Sequence, residues 1–273
     1  MTCRAAVVLA DAFAAVRAAG SRMRDQRVVI HGAGTAGIGI ADMMADVMVR
    51  EGLAREEATR RFYALDREGL ITDDSVAALR APASPLADVV ANSEPTMLIG
   101  TSTQSAAFSD QIVKQMASKV ERPIIMPLSN PTSKAGGAPG CPDPLDRGRA
   151  LVATGSPFEP VVYEGRTYRI AQANNALIFP GLGLGVTVAK AQRISDPMLE
   201  VAADAVAELS DAMTLGAALL PPVENLRMVS AAVGIAVTLA ADKEGLAQAE
   251  LNSPIQQIHQ AMWRPAYPQI EPT

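Results

Sequence analysis

The sequence has few of the residues that most metal centres and redox-active sites use. Its 273 residues include two histidines, His31 and His259, and two cysteines, Cys3 and Cys141. Neither histidine has a second ligand at zinc-type spacing, so the histidines predict no metal site. The cysteines lie far apart, and Cys141 stands in a Pro/Gly-rich stretch, GAPGCPDP. This favours free thiols in a reduced, cytoplasmic chain over a catalytic thiolate.

Clustered basic residues, aromatic residues and long apolar runs are also scarce. The net charge is −5 and aromatic residues make up 4% of the chain, whereas a nucleic-acid surface needs clustered basic groups and stacking rings. The longest uncharged apolar stretches, 176–189 and 228–241, are shorter than the roughly 20 residues that cross a bilayer. We therefore expect neither a nucleic-acid partner nor a membrane partner.

The first 20 residues are apolar but favour a packed helix over a signal peptide. Leu9, Phe13 and Val16 recur at helical spacing, and Asp11 interrupts the apolar run. This leading helix is predicted to end near Gly20.

Short apolar strands alternate with helices in the part of the chain that follows. The predicted strands are 27–31, 62–65, 96–99, 123–127 and 150–154. Because these strands lack polar alternation and helices separate them, they predict a parallel sheet covered on both faces. We expect a doubly wound, Rossmann-like α/β core over about 27–190, with additional C-terminal helices over about 197–273.

The stretch VVIHGAGTAGIGIA (28–41) joins the first strand to its helix through three glycines. In this strand–turn–helix context, the spacing Gly32-x-Gly34-x-x-Gly37 predicts a dinucleotide site. The first glycine turns the chain, the second admits the pyrophosphate, and the third lets the helix pack on the strand. The helix N-terminus adds free N–H groups and a partial positive charge. The residues predicted to bind the cofactor here are Gly32, Ala33, Gly34, Thr35, Ala36 and Gly37.

An acidic residue, Asp66, follows the next strand in FYALDREG, where a ribose 2′-hydroxyl is expected to bind. It stands 29 residues after Gly37 (66 − 37) rather than about 20, and a charged helix at 55–61 accounts for the extra length. A carboxylate repels a 2′-phosphate, so Asp66 favours NAD over NADP, although Arg67 beside it partly offsets that preference. The alternative is a structural turn with a solvated Asp66.

Two other polar features are predicted to be structural. His31 immediately precedes the glycines and is expected to end the strand as a packed polar residue rather than to act as an acid or base. Asp73 and Asp74 are adjacent, so their side chains point in different directions. They favour a solvated turn over a metal pair.

Asparagines and a serine follow the later strands. Asn130 lies in LSNPTSKA, Ser156 in TGSPF, and Asn174 and Asn175 in ANNALIFPGLGLG. Ligands of open α/β sheets bind at the carboxyl ends of the strands, so Asn130 and Ser156 are expected to face the same crevice as the glycine turn. Asparagine can donate to a carboxylate or carbonyl without adding charge. The alternative for all three asparagines is ordinary turn and loop chemistry.

Together these stretches resemble the cofactor-binding, carboxyl-terminal half of malic enzymes, the decarboxylating malate dehydrogenases. The resemblance is carried, in the family's order, by HGAGTAGIGIA, DREGLIT, LIGTS, ERPIIMPLSNPTSKA, TGSPF, ANNALIFPGLGLG, RISDPM, LPPVENLRMVSAAVGIAV and MWRPAYP. It implies an NAD(P)-linked oxidation of L-malate at C2. Decarboxylation to pyruvate and CO₂ follows, with Mg²⁺ or Mn²⁺ as a Lewis acid.

The resemblance also implies roles for particular residues. Asn130, Asn174 and Asn175 match motifs that reach the substrate and the nicotinamide, while the glycine turn and Asp66 match the adenosine side. The stretch that lies against the cofactor in the family corresponds to Gly100, Thr101 and Ser102. NAD is the expected cofactor, with NADP as the alternative.

The family's general acid, general base and Glu-Asp metal pair belong to an amino-terminal half that this sequence does not contain. No catalytic residue and no metal ligand is therefore predicted in it. Residues 1–273 are expected to form one NAD-binding domain that self-associates or pairs with the missing catalytic half. Two alternatives stay open: a dinucleotide-binding module without turnover, and a dehydrogenase of another class that uses Lys190 or Asp196.

Overall fold

The structure, a computed structural model, describes residues 3–71, 86–102, 107–128 and 148–263. Within these residues the chain forms a six-stranded parallel sheet, a separate two-stranded hairpin, and helices that cover both faces of the sheet. The predictions for Asp73 and Asp74, for Asn130 and for Cys141 fall on positions outside the described residues.

The first half of the chain alternates strands and helices as the hydrophobic pattern predicts. The elements are α1 (Cys3–Ala18), β1 (Val28–His31), α2 (Thr35–Arg50), α3 (Arg55–Thr59), β2 (Phe62–Leu65), α4 (Leu86–Ser93), β3 (Met97–Gly100), α5 (Asp110–Lys119), β4 (Ile124–Pro127) and β5 (Leu151–Thr154). Each of the five predicted strands is present, with bounds within one residue of those expected.

The second half adds three short strands and the C-terminal helices. The elements are β6 (Val161–Tyr163), β7 (Arg166–Tyr168), β8 (Ala171–Gln172), α6 (Phe179–Ala189), α7 (Asp196–Glu208), α8 (Leu226–Lys243) and α9 (Pro254–Ala261). The three strands escape prediction because each is at most three residues long. The turn between β6 and β7 consists of Glu164 and Gly165. Glu164 and Gly165 both have positive φ, 48° and 75°, as a two-residue type I′ turn requires.

The parallel strands lie in the order β2-β1-β3-β4-β5-β8. His31 at the end of β1 pairs with Leu65 of β2 and with Gly100 of β3, and Gly100 pairs with Pro127 of β4. The carboxyl ends of four strands are therefore level. The chain runs from β1 outward to β2 and then returns past β1 to β3, which makes the β1–β3 boundary the switch point where open α/β sheets bind ligands.

The central strands send alternate side chains into two apolar layers. Val28 and Ile30 of β1 pack with the layer that contains α1, α2 and α6 to α8. Val29, between them, packs with α4 and α5 on the opposite face. All three are fully buried. This burial on both faces explains the strands' unbroken apolar sequences and confirms the predicted doubly wound fold.

α8 is apolar on all sides. The segment Val223–Lys243, which includes it, is the one part of the described chain long and apolar enough to cross a membrane, judged by length and composition alone. In the fold, however, Val229, Val233 and Val237 are fully buried, and the helix packs against α6 and α7. This packing explains the apolar composition of the side of α8 that faces α6 and α7. The segment is therefore only weak evidence for a membrane span.

Candidate functional site

The glycine turn is held between the ends of β1, β2 and β3. The N–H groups of Gly32 and Ala33 both donate to the carbonyl oxygen of Leu65, at 2.9 Å each. The hydroxyl of Thr101 donates to the carbonyl oxygen of Gly32 at 2.6 Å. Since Gly32 and Ala33 use their N–H groups inside the protein, the N–H groups left for a phosphate begin at Gly34.

The three glycines of the fingerprint have different surroundings. A Cβ on Gly32, where φ is +117°, would lie 2.4 Å from the backbone nitrogen of Ser102, and a Cβ on Gly37 would lie 2.2 Å from the carbonyl oxygen of Gly32. These two positions require glycine for the turn to close. Gly34 is exposed, and a Cβ there would meet nothing within 4 Å. The second glycine thus borders open space, as the approach of a pyrophosphate would need.

The start of α2 is suited to an anion. Gly34 is its N-cap residue, no side chain caps it, and its first turn contains no acidic residue. The first N–H groups of a helix have no partner within the helix, and the N-terminus carries a partial positive charge. The site offers a phosphate both free donors and a favourable field.

Asp66 is the first residue after β2, and local backbone groups use one of its oxygens. Its Oδ1 accepts hydrogen bonds from the N–H groups of Glu68 (2.7 Å) and Gly69 (3.1 Å), so Asp66 shapes its own turn. Its Oδ2 accepts none from the described residues. Both Asp66 and Arg67 are exposed. The carbonyl oxygen of Leu65, the preceding residue, accepts hydrogen bonds from the glycine turn, so Asp66 follows directly after the point where β2 meets that turn.

His31 ends β1 as a buried polar residue, which confirms that it is packed at the end of the strand. Its Nδ1 lies 3.0 Å from Oγ of Ser102, and its carbonyl oxygen accepts the N–H groups of Thr101 and Ser102 at 2.9 and 3.0 Å. Burial lowers the pKa of His31, which favours the neutral ring. These bonds fasten the loop after β3 to the end of β1.

Gly100 is needed for packing rather than for a turn. A Cβ there would lie 2.8 Å from Cζ of Phe108, and the Phe108 ring also packs near the His31 ring, with centroids 6.5 Å apart. Phe108 was not predicted from the sequence, because nothing in the pattern shows that it reaches back over β3. Its ring closes the α4–α5 side of the predicted site.

Asn174 and Asn175 follow β8, at the far edge of the sheet from β2. Four strand spacings separate β8 from β1 in the sheet order, which at about 4.8 Å each is roughly 19 Å. The structure therefore does not bring these asparagines beside the glycine turn. A ligand that touches both must extend along the carboxyl edge of the sheet.

The two asparagines have different environments. Oδ1 of Asn174 accepts the N–H of Ala176 at 3.0 Å and caps the short 3-10 helix Asn175–Leu177, so loop chemistry explains part of its role. Asn174 also lines an open groove of about 1060 Å³ between segments 157–174 and 209–225. Oδ1 of Asn175 is buried and accepts no hydrogen bond from the described residues. An unsatisfied buried acceptor costs about 1–3 kcal/mol.

Comparison with known proteins accounts for this architecture. The family model described as "Malic enzyme, NAD binding domain" matches residues 1–242. The chain belongs to the malic enzyme family. NAD-dependent malic enzyme 3 of Bacillus subtilis is 47% identical over 285 residues, and NAD-dependent malic enzyme of Sodalis glossinidius is 44% identical over 283. These matches cover 97% and 96% of the chain but 50% of each relative, so the chain spans about half the length of the curated relatives that it matches.

Solved structures of malic enzymes share the fold. The enzymes from Entamoeba histolytica and Pyrococcus horikoshii each superpose with a TM-score of 0.71, at 20% and 22% sequence identity. The superpositions cover 94% and 95% of this chain, and 51% and 57% of those proteins. At this identity the likeness shows the fold alone, and that fold is the predicted doubly wound one.

The described part of this malic enzyme domain does not offer a metal centre. No group of three or more His, Cys, Asp and Glu side chains within it could hold a metal ion. Lys190 and Asp196, the candidates for another class of dehydrogenase, are both exposed. Lys190 caps the end of α6 and Asp196 begins α7, so both lie at helix ends on the surface.

Proposed function

We propose that this chain binds NAD along the carboxyl edge of its sheet, as the cofactor-binding part of an enzyme that converts L-malate to pyruvate and CO₂. The observation that carries the proposal is the glycine turn. Gly32 and Gly37 close it, Gly34 leaves it open to a ligand, and the uncapped start of α2 faces that opening. The name "NAD-dependent malic enzyme" borne by the relatives supports the same cofactor and reaction.

The residues of the turn fit the phosphate and adenosine parts of NAD. The N–H groups of Gly34, Thr35, Ala36 and Gly37 would hold the pyrophosphate, and Oδ2 of Asp66 would accept a ribose hydroxyl. Gly100, Thr101 and Ser102 would line the path along β3. A carboxylate at position 66 disfavours a 2′-phosphate, which is why we propose NAD rather than NADP.

The asparagines would bind the reacting end of the complex. Asn130, Asn174 and Asn175 are proposed to hold the nicotinamide and the carboxylate of malate, because amides can donate without adding charge. The buried Oδ1 of Asn175, which lacks a donor among the described residues, supports a ligand or water at that point. When bound, NAD supplies the two-electron oxidation of the malate hydroxyl carbon.

The metal-assisted step is not assigned to the described residues. They contain no cluster that fits Mg²⁺ or Mn²⁺, so we derive no step through a metal in this chain. We propose that the acid, the base and the metal ligands come from the other half of the family's polypeptide. The same observation favours a second candidate, a dinucleotide-binding module without turnover.

A fluorescence titration of NADH into the purified chain, with NADPH for comparison, tests the cofactor proposal. We expect saturable binding with NADH preferred. Gly34→Ala should weaken NADH binding about tenfold, or about 1.4 kcal/mol, because its Cβ enters the pyrophosphate space. Asp66→Ala should narrow the difference in binding affinity between NADH and NADPH. Gly183→Ala, an open glycine on α6, is the matched control and should bind like the wild type.

A second assay separates the two candidate functions. Malate-dependent NAD reduction with Mn²⁺ is measured for the chain alone and for the chain co-expressed with the amino-terminal half of the Bacillus subtilis relative. We expect negligible turnover alone and measurable turnover with the added half. A folded chain that shows no saturable NADH binding would overturn the cofactor proposal. NADH binding without turnover in the presence of that half would favour the module without catalysis.

A further inference from the structure

The side chains of His31 and Ser102 meet at the switch point of the sheet. His31 is the last residue of β1, and Ser102 lies in the loop just after β3. Nδ1 of the His31 ring lies 3.0 Å from Oγ of Ser102. Open α/β sheets bind their ligands between the loops that follow the two strands at such a point. The contact therefore joins the two sides of the candidate cofactor crevice.

Backbone bonds already hold the loop after β3 against the glycine turn. The carbonyl oxygen of His31 accepts the N–H groups of Thr101 and Ser102, at 2.9 and 3.0 Å. The Thr101 hydroxyl donates to the carbonyl oxygen of Gly32 at 2.6 Å. None of these bonds uses the imidazole, so they do not depend on which side chain stands at position 31. What the imidazole adds is a bond to one side chain, that of Ser102.

The surroundings of the imidazole hold it in place. His31 is 9% exposed, and the Phe108 ring packs near it, with the two ring centroids 6.5 Å apart. Burial lowers the pKa of His31, so the ring is neutral near pH 7 and carries one donor nitrogen and one acceptor nitrogen. Ser102 is the one hydrogen-bond partner of this ring among the described residues. The packed ring therefore presents a fixed nitrogen to Ser102.

The Ser102 hydroxyl has more hydrogen-bonding capacity than His31 uses. A serine hydroxyl has one donor site and two acceptor sites, and His31 engages one of the three. Within the described part of the chain His31 is the only partner of this hydroxyl, and Ser102 is only half-buried. Because an unbonded hydroxyl rotates to suit its surroundings, the bond to His31 gives the remaining sites a fixed direction.

We propose that His31 is a positioning residue for the cofactor and acts through Ser102. By holding the Ser102 hydroxyl in one orientation, His31 presents an ordered hydrogen-bonding group to NAD on the β3 side of the crevice, opposite the N–H groups of the glycine turn. Such preorganisation strengthens binding, because the ligand does not have to order the group itself. The inference rests on the proposed function, in which NAD lies between these two loops.

A double-mutant cycle on NADH affinity, measured by fluorescence titration, tests the proposal. His31→Leu replaces the imidazole with an apolar side chain, and Ser102→Ala removes the hydroxyl. We expect Ser102→Ala to weaken NADH binding about tenfold and His31→Leu about fivefold. The double variant should bind no more weakly than Ser102→Ala alone, because His31 acts only through that hydroxyl.

Ser93→Ala is the matched control for the loss of a serine hydroxyl. Ser93 is buried at the end of α4, where the chain approaches the opposite end of β3, and its Oγ donates to the carbonyl oxygen of Val89 at 2.7 Å. The variant removes a buried hydroxyl and its hydrogen bond away from the crevice. It should bind NADH like the wild type.

His31→Asn separates positioning from packing. Asparagine carries its polar atoms on Cγ, as histidine carries Nδ1, and can bond the Ser102 hydroxyl, but it fills less of the space beside Phe108. We expect His31→Asn to bind NADH within about twofold of the wild type and to be less stable in urea. An asparagine variant that binds as weakly as His31→Leu would show that the ring acts by packing, which would overturn the proposal.

Failure of the positioning role and failure of the proposed function give different results. A folded wild-type chain that does not bind NADH would overturn the cofactor role and the positioning role with it. If the wild type binds NADH, an unchanged affinity in His31→Leu would overturn the positioning role alone. Losses that add up to about fiftyfold in the double variant would do the same.

Circular dichroism on each variant shows whether weaker binding reflects unfolding. Should His31→Leu fail to fold, Ser102→Ala still tests the proposal, because wild-type NADH affinity in that variant would overturn it.

Discussion

Glycines allow close packing both at the sheet edge and between α6 and α8, but the two kinds of contact differ. At the sheet edge, a Cβ on Gly32 would lie 2.4 Å from the backbone nitrogen of Ser102. Between the helices, a Cβ on Gly181 would lie 2.5 Å from Cβ of Val233. The first contact joins two loops around a candidate ligand site. The second lets two apolar helices touch along their backbones.

Each region also has a glycine with free space beside it, and the roles of these two glycines differ more than those of the packed ones. A Cβ on Gly34 or on Gly183 would meet nothing within 4 Å. Gly34 is the N-cap of α2, where a ligand can use the space. Gly183 lies inside α6 on its exposed side, where glycine only weakens the helix. The glycine turn at the sheet edge is thus closed by contacts within the chain, whereas the helical layer has exposed apolar residues and an exposed glycine.

The largest expected effect is at the sheet edge, for Gly32→Ala. Alanine there is strained at a φ of +117° and collides with the backbone of Ser102, so we expect a loss of about 4 kcal/mol in the free energy of unfolding. Urea denaturation measures it. Gly34→Ala, the control, should change stability by no more than about 0.5 kcal/mol. Equal unfolding midpoints for both variants would show that the two loops separate freely.

The next largest effect is in α1, which contacts both α2 and α7 and so joins the two regions. Both carboxylate oxygens of Asp11 are fully buried and accept no hydrogen bond from the described residues. We expect Asp11→Ala to stabilise the protein by about 2 kcal/mol at pH 7, because an uncompensated polar group is removed from the interior. Thermal or urea unfolding measures it. A destabilised variant would show that Asp11 has a partner in the folded chain.

Protonation of Asp11 makes the stability change caused by Asp11→Ala depend on pH. Burial raises the pKa of Asp11 well above its ordinary value, so the folded state holds a proton that the unfolded state releases above about pH 3.9. The free energy of unfolding of the wild type then falls as pH rises from there through the folded-state pKa. The advantage of Asp11→Ala should therefore grow with pH over that window. A difference that is constant from pH 4 to pH 8 would contradict this.

A smaller loss is expected between the helices, for Gly181→Ala. The added methyl group meets Val233 and the carbonyl oxygen of Ser230, and overpacking of this kind costs about 1.5 kcal/mol net of alanine's better helix propensity. Urea denaturation measures it. Unchanged stability would mean that α6 and α8 can move apart, and would weaken the contrast with the sheet edge.

The sequence predicts the elements that depend on local pattern and misses those that depend on contacts between distant residues. Strands β1 to β5 follow from their apolar runs, and the glycine turn follows from its spacing between a strand and a helix. The use of the Gly32 and Ala33 N–H groups by Leu65 could not be predicted. It depends on how β2 aligns with β1.

The helical layer shows the same limit. The composition of α8 predicts a helix that is apolar on all sides, but only the fold shows that Val233 is buried while Leu239 is exposed. The sequence likewise predicts Asn174 and Asn175 as a pair. The fold separates their roles, because Asn174 caps a turn and Asn175 has a buried oxygen without a donor among the described residues.

The smallest expected effect comes from comparing Gly183→Ala with Gly34→Ala in stability and in NADH affinity. Gly183→Ala removes a flexible residue from a helix interior without contacting anything, so we expect a gain of about 0.7 kcal/mol in stability and no change in NADH affinity. Gly34→Ala should show the reverse pattern, near-unchanged stability with weaker NADH binding. Urea denaturation and NADH titration on both variants measure the difference. If both variants bound NADH like the wild type, the space beside Gly34 would be a feature of the turn and not of a ligand site.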